Sequence, residues 1–369
     1  MKGYRDTWAE VSLAAIEGNA TQFRGHIQPD TKLMAVIKAD GYGHGAVETA
    51  KAALRGGADY LAVAIVDEGL ALREAGIAAP ILVLGYTPVR SVATALAGGL
   101  TLTVFDEAVL DEIIRLGEAA RIHLKVDTGM SRIGVASTEE ALHLAERAAA
   151  ATFVQLEGIF THFAHADGED PAYTYEQFHK FLAVAEALER QGIQIPLKHC
   201  CNSAATMRFP EMHLDMVRVG IALYGLYPDA SLRETVPLTP AMSLKTKVAA
   251  VKTVPAGRPV SYGCTSVLNQ ERRIATLPIG YADGLSRLLS NRGEMLLHGG
   301  LVPIAGRVCM DQTMIDVTAS ACEAGDTVTV FGQDRSAVQS VDQLAAWMGT
   351  INYEVVCLIG KRVPRVYNT

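Results

Sequence analysis

A lysine stands where five apolar residues end. Leu33-Met34-Ala35-Val36-Ile37 runs into Lys38, and Ala39-Asp40-Gly41-Tyr42-Gly43-His44-Gly45 follows as a glycine-rich turn. Such a run suits a strand buried on both faces. Lys38 then lies at its carboxyl end, where barrel enzymes keep catalytic groups. There the amine either snorkels to solvent or, partly desolvated, becomes reactive enough to form a Schiff base. Two more basic residues sit at comparable places. Lys125 lies inside the strand-like run Ile122–Val126, where a lone ammonium is costly. Arg218 lies near the end of Met216–Val219, where an arginine must be paired, with Asp215 or Glu211, or functional. His162 follows the run Gln155–Thr161, as a satisfied core histidine or a functional one.

The elements that must position these groups alternate. Strand-like runs at Leu33–Ile37, Tyr60–Ala64, Ile81–Leu84, Leu100–Val104, Ile122–Val126, Gln155–Thr161, Leu197–Cys200 and Met216–Val219 are separated by helical stretches such as Val66–Ala75, Ser137–Ala150 and Tyr175–Gly192. Eight strands alternating with helices predict an α/β fold, an N-terminal (β/α)8 barrel. Barrels bind phosphate with the loops after strands seven and eight. Here those loops hold Ser203, as hydroxyl donor or helix N-cap, and Gly220 and Ile221, whose backbone N–H groups an anion could approach. Near Pro228, Pro237 and Pro240 the pattern changes, as at a linker. Short strands then predict a mostly β C-terminal domain, from Lys245–Val254 through Val355–Ile359, with one helix at Ser340–Met348. The expected division is 1–235 and 236–369.

With 369 residues the chain is long enough for two cores. A net charge of −7 argues against nucleic acid and anionic membranes as partners. No signal segment and no membrane-length apolar run is found, which points to the cytoplasm. The six cysteines lack metal-ligand spacing, so no metal is expected. Adjacent Cys200 and Cys201 would face opposite sides of a strand.

Val36-Ile37-Lys38-Ala39-Asp40-Gly41-Tyr42-Gly43-His44-Gly45 resembles the pyridoxal phosphate (PLP) attachment signature of bacterial alanine racemases. The resemblance covers nearly the whole chain and implies the same two domains, with the strand around Trp8 packed in the second. Many members have alanine in place of Gly41, a departure that loosens the turn slightly. The resemblance implies that Lys38 carries the cofactor, that Tyr42, Ser203, Gly220, Ile221 and Tyr353 serve its phosphate, and that Arg218 bonds its ring nitrogen. An arginine gives no proton to that nitrogen, so the ring stays a weaker electron sink and transamination is suppressed. His162 packs beneath the ring, and Arg132 lies near the phenolic oxygen and the substrate carboxylate. In several members the lysine matching Lys125 is carbamylated and orients that arginine; simple pairing of Lys125 with an acid is the alternative.

Racemisation also needs a second acid/base on the opposite face of Cα. Pro259-Val260-Ser261-Tyr262-Gly263 and Arg307-Val308-Cys309-Met310-Asp311-Gln312 resemble family motifs in the second domain. They imply Tyr262 as that group, with Met310 and Asp311 at the substrate carboxylate, contributed by the other subunit of a homodimer. Tyr281 and Tyr353 are implied at the site entrance. A tyrosine of ordinary pKa, ~10, needs an electropositive neighbourhood to act as a base. The implied activity is alanine racemase, an isomerase that makes D-alanine for cell-wall synthesis or acts in alanine catabolism. A basic amino-acid decarboxylase is disfavoured by Arg218, a serine racemase by Tyr353, and a non-catalytic PLP carrier by the second domain.

Overall fold

A computed structural model describes residues 5–368. The chain forms two compact units. One comprises residues 14–41 and 46–239; the other, among the described residues, comprises 5–13, Tyr42–Gly45 and 240–368. The cut falls between Thr239 and Pro240 rather than between 235 and 236. Tyr42–Gly45 is assigned with the C-terminal residues, where Arg365 Nε donates to the Gly43 carbonyl at 2.8 Å.

The first unit is a nearly closed barrel. After β1 (Thr7–Ser12), which belongs to the other unit, come β2 (Lys32–Val36), β3 (Tyr60–Val63), β4 (Ile81–Val83), β5 (Thr101–Val104), β6 (Ala120–Lys125), β7 (Val154–Phe160), β8 (Leu197–His199) and β9 (Met216–Val219). All pair in parallel in the order β8-β7-β6-β5-β4-β3-β2-β9. At the seam between β8 and β9, the Asp215 N–H bonds the Lys198 carbonyl and the Arg218 N–H the Cys201 carbonyl, each at 3.1 Å. Residues of β3, β4 and β5 are buried throughout, as strands covered on both faces require. The helices start where the sequence supplies caps. Asp106, Ser137 and Asn202 each accept a backbone N–H of the first turn. Asn202 is therefore the cap of helix Ser203–Arg208, and Ser203 is not.

The turn after β2 is a left-handed one. Ala39, Asp40, Gly41 and Tyr42 have φ of +53°, +53°, +61° and +50°. Left-handed helical backbone costs roughly 1–2 kcal/mol per non-glycine residue, so the surroundings must enforce it. Asp40 Oδ1 accepts the Ala46 N–H at 2.8 Å, and Glu68 Oε1 accepts the Ala39 N–H at 2.6 Å. Gly41 suits this backbone rather than loosening it: a side chain there would sit at a positive φ with its Cβ 3.1 Å from the Thr49 hydroxyl.

The second unit is mostly β. Its larger sheet runs Gly300–Pro303, Glu294–Leu297, Thr327–Asp334, β10 (Met242–Lys247), β1 and Arg365–Asn368, with Ala337–Gln339 paired to the third of these. The Trp8 strand thus pairs antiparallel with β10. A three-stranded sheet joins Ala250–Val254, Arg272–Leu277 and Thr313–Asp316, and Pro259–Val260 pairs with Ser266–Val267. The stretch expected as a strand at Val355–Ile359 is instead the end of a helix, Asn352–Cys357, and its exit. Its run of apolar residues is too short for periodicity to separate the two.

Gly43 gives a test of this backbone. It has φ +79°, and a Cβ there would lie 2.3 Å from the Val356 carbonyl oxygen. Gly43→Ala should lose about 1–3 kcal/mol from the left-handed backbone and more from the overlap. Gly41→Ala, which meets a movable hydroxyl, should lose clearly less in urea unfolding. Equal losses would contradict the geometry.

Candidate active site

Lys38 follows β2 by two residues and is half-buried, at the carboxyl ends of the barrel strands. Around it the barrel gathers cations. Lys38, Lys125, Arg132 and Arg218, together with burial, hold the half-buried His162 well below the ordinary histidine range, burial being the largest cause. Such an imidazole is neutral at working pH.

Arg218 is buried, and among the described residues it makes no ion pair. Asp215 is turned to the Lys198 backbone N–H and Glu211 to the Tyr175 hydroxyl, so the pairing alternative does not hold. Its guanidinium donates to the carbonyls of Thr161 (2.8 Å), Cys200 (3.1 Å) and His199 (3.2 Å), and to Nδ1 of His199 (3.0 Å) and His162 (3.1 Å). Every one of these acceptors is neutral. It also lies 5.4 Å from the Phe160 ring centroid, a ring that stacks flat on His199. Burial lowers its pKa to about 10, so it is still a cation at neutral pH.

Lys125 is buried too. Its amine donates to the Val126 carbonyl at 2.6 Å and lies 5.5 Å from the same Phe160 ring. Burial first, then the Arg218 charge, bring its pKa down to about 7. Asp127, the acid nearest in sequence, uses its carboxylate on the N–H groups of Gly129, Ser131 and Arg132 instead. That clamp shapes the loop from which the exposed Arg132 projects.

The two phosphate-loop candidates meet: the Gly220 N–H donates to Ser203 Oγ at 2.8 Å. The Gly220 N–H, expected to face an anion, is here engaged by that hydroxyl. The hydroxyl, with an acceptor lone pair used, is the group left to donate. Ile221 opens the short 3-10 turn after Gly220 and is buried. Cys200 and Cys201 also depart from expectation. Both thiols donate to the Met212 carbonyl, at 3.2 and 3.1 Å, because β8 ends at His199 and the alternation of a strand no longer applies.

In the second unit, loops bring Tyr262, Tyr281, Met310 and Asp311 around one concavity of about 800 Å³. Arg287, Val308 and Cys309, which the sequence did not single out, complete it. Tyr262, Tyr281 and Met310 are 72%, 43% and 53% exposed, which is unusual for such large apolar groups. Tyr262 is carried on a tight turn in which Ser261, Gly263 and Cys264 all have positive φ, and Ser261 Oγ donates to the Arg307 carbonyl at 2.6 Å. The Tyr281 N–H bonds the Cys309 carbonyl at 3.0 Å. Gly280 lets these segments approach, since a Cβ there would be 2.3 Å from that oxygen. Asp311 is held by Arg362 at 2.7 Å. Tyr42 and Tyr353, in the same unit, face each other with ring centroids 6.3 Å apart.

Family models describe both halves of the chain. Residues 11–228 match the alanine racemase N-terminal domain and residues 241–367 the alanine racemase C-terminal domain. Alanine racemase 2 of Oceanobacillus iheyensis is 55% identical, with 99% of this chain and 94% of that protein covered. Alanine racemase 1 of the same organism is 54% identical over 99% of this chain and 98% of its own length. The crystal structure of alanine racemase from Bacillus anthracis with bound L-Ala-P superposes with a TM-score of 0.96 at 43% identity, covering 100% of this chain and 96% of that one. Over nearly its full length, through both domains, the chain belongs to the alanine racemases, enzymes that interconvert L- and D-alanine.

Proposed function

We propose that the racemase works with pyridoxal phosphate held on Lys38 Nζ, with Lys38 and Tyr262 as its two acid/base groups. The observation that carries this reading is Arg218: a buried cation bonded to neutral acceptors, beside Lys38, Lys125 and Arg132 at the strand ends. That donor set fits an anionic cofactor with a ring nitrogen to receive a hydrogen bond. When bound, the cofactor supplies an electron sink for the charge left at Cα. Arg218 would donate to its ring nitrogen without giving up a proton, and His162, bonded to Arg218, would pack against the ring. The Ser203 hydroxyl and the backbone N–H of Ile221, with Tyr42 and Tyr353 on the family pattern, serve the phosphate, and Gly220 orients the Ser203 hydroxyl. Arg132, Met310 and Asp311 orient the substrate carboxylate, and Tyr281 narrows the entrance toward small side chains.

One base cannot serve both faces of Cα. Lys38 Nζ takes or returns a proton on one face, and the Tyr262 hydroxyl does so on the other. The cationic surroundings of the barrel site would favour a phenolate brought to it. We propose that Tyr262 comes from a second copy of the chain, in a homodimer with two shared sites. What supports this is its display, with Tyr281 and Met310, on an exposed concave face. The cytoplasm suits such an enzyme, because a reducing compartment keeps exposed thiols such as Cys264 and Cys357 intact.

We further propose that Lys125 is carbamylated. Its depressed pKa leaves a large share of unprotonated amine, the form that attacks carbon dioxide; the amine nitrogen gains the carbon and loses a proton. The resulting anion sits among cations that the ammonium would repel. In carbon-dioxide-free buffer the lysine keeps its folded pKa of about 7, below the ordinary 10.5. Between those values the unfolded chain binds the extra proton, so stability rises with pH, by up to about 1.4 kcal/mol per pH unit relative to Lys125→Met. Below pH 7 the penalty is complete and flat. Bicarbonate should abolish the slope; a slope unchanged by bicarbonate would rule carbamylation out.

Reduction with borohydride in the presence of the cofactor should fix it to the peptide bearing Lys38, and labelling of Lys125 instead would overturn the assignment. Mixing Lys38→Ala with Tyr262→Phe, each nearly inactive alone, tests the shared site. Reassorted dimers are mixed about half the time and carry one intact site of two, so activity should return to roughly a quarter of wild type. With reassociation verified by tagged pull-down, activity no higher than that of the single variants would exclude sharing.

A further inference from the structure

The mechanism leaves unused a set of buried titratable groups inside the barrel. Arg218 N–H groups only donate, so His199 Nδ1 accepts and the proton of this neutral imidazole lies on Nε2. His199 Nε2 is 2.9 Å from His123 Nδ1, which must then accept. His123 in turn presents Nε2–H to Glu157 Oε2 at 3.2 Å. The same carboxylate oxygen accepts the Tyr60 hydroxyl at 2.7 Å, and Tyr60 is 3.0 Å from Thr101 Oγ1. Tyr60 and Thr101 are the first residues of β3 and β5, whereas His199 ends β8. The series thus runs through the barrel from its amino-terminal end to the Arg218 site, and every bond has one allowed direction.

The backbone is built around it. β6 and β7 pair Ile122 with Leu156 but His123 with Gly158, so Glu157 is the extra residue of a bulge. Bulges re-aim side chains and break an otherwise regular ladder. Gly158, next along, makes room for the imidazole: a Cβ there would lie 2.6 Å from His123 Nδ1 and Cε1. His123 and His199 are fully buried and Glu157 keeps 17% side-chain exposure. Burial lowers both histidines, His199 well below its ordinary range. Bonds from His123 and Tyr60 outweigh burial and keep Glu157 below the usual carboxylate range. The groups therefore stand as one anion, two neutral rings and one distant cation.

We infer that Glu157 is a positioning residue for Arg218. It is the acceptor-only terminus opposite the donor-only Arg218; the two ends together set the tautomers of His123 and His199, and Glu157 thereby holds the rotation of the guanidinium. With the opposite tautomers, His199 Nδ1–H would face an Arg218 N–H, two donors 3.0 Å apart. The inference rests on the proposed role of Arg218, but its first consequence concerns the histidines alone.

The variant is Glu157→Gln, the same shape with an amide that can donate as well as accept, so the direction of the series is held from the donor-only Arg218 end alone and the tautomers are free to mix. Nitrogen-15 NMR of histidine-labelled apoprotein should show His123 and His199 as Nε2–H tautomers in wild type and lose that pattern in Glu157→Gln. In the loaded enzyme kcat should fall roughly ten- to a hundredfold, with KM little changed and more pyruvate from transamination; Glu157→Asp should restore part of the loss. Wild-type histidines in the other tautomer, or a Glu157→Gln enzyme with unchanged tautomers or unchanged kcat, would overturn the inference. Failure of the Arg218 reading looks different: Arg218→Glu would racemise normally without pyruvate, while the wild-type histidine signals stayed as described.

Discussion

The barrel site depends on a buried cation that makes no ion pair among the described residues. Taking a guanidinium out of water costs several kcal/mol unless its hydrogen bonds are remade. Arg218 remakes them with three carbonyls and two imidazoles. A carboxylate partner would satisfy the charge more directly, but would also neutralise the feature that makes the site attractive to an anion. Neutral acceptors stabilise the guanidinium and leave its positive field in place. The acceptors come from the ends of β7 and β8 and the residues that follow, so the arginine, on β9, also ties its own strand to theirs across the seam of the barrel.

That choice propagates. Histidines can accept from Arg218 only while neutral, and burial holds them neutral. Lys125, sharing the Phe160 ring with Arg218, is pushed toward its neutral form by the same lack of water and the same neighbour. The site therefore collects groups whose protonation the surroundings set, as expected where chemistry requires particular protonation states.

The second unit solves a different problem. Its functional candidates are exposed rather than buried, and what fixes them is backbone. The positive-φ turn around Tyr262, the close approach at Gly280 and the Arg362–Asp311 pair hold an open surface in one shape. Rigid display of this kind lowers the entropy lost when such a surface is covered.

Much of this was legible in the chain. Eight apolar runs alternating with helical stretches point to a barrel, because parallel strands buried on both faces read as continuous apolar runs and eight of them can close, and Lys38, Arg218 and Tyr262 stand out by type and position. Tertiary structure decided the rest. Whether Arg218 has a carboxylate partner depends on which way Asp215 and Glu211 turn, and both turn elsewhere. The left-handed turn after Lys38 depends on Glu68 and on the start of the next helix, as well as on its own residues. The bulge at Glu157 cannot be read from β7 alone, because register is a property of two strands. Cys200 and Cys201 converge because β8 ends one residue sooner than its apolar run suggests. Composition and spacing report what a residue could do. Which partner it meets is set by contacts across dozens of residues of sequence, which no local pattern carries.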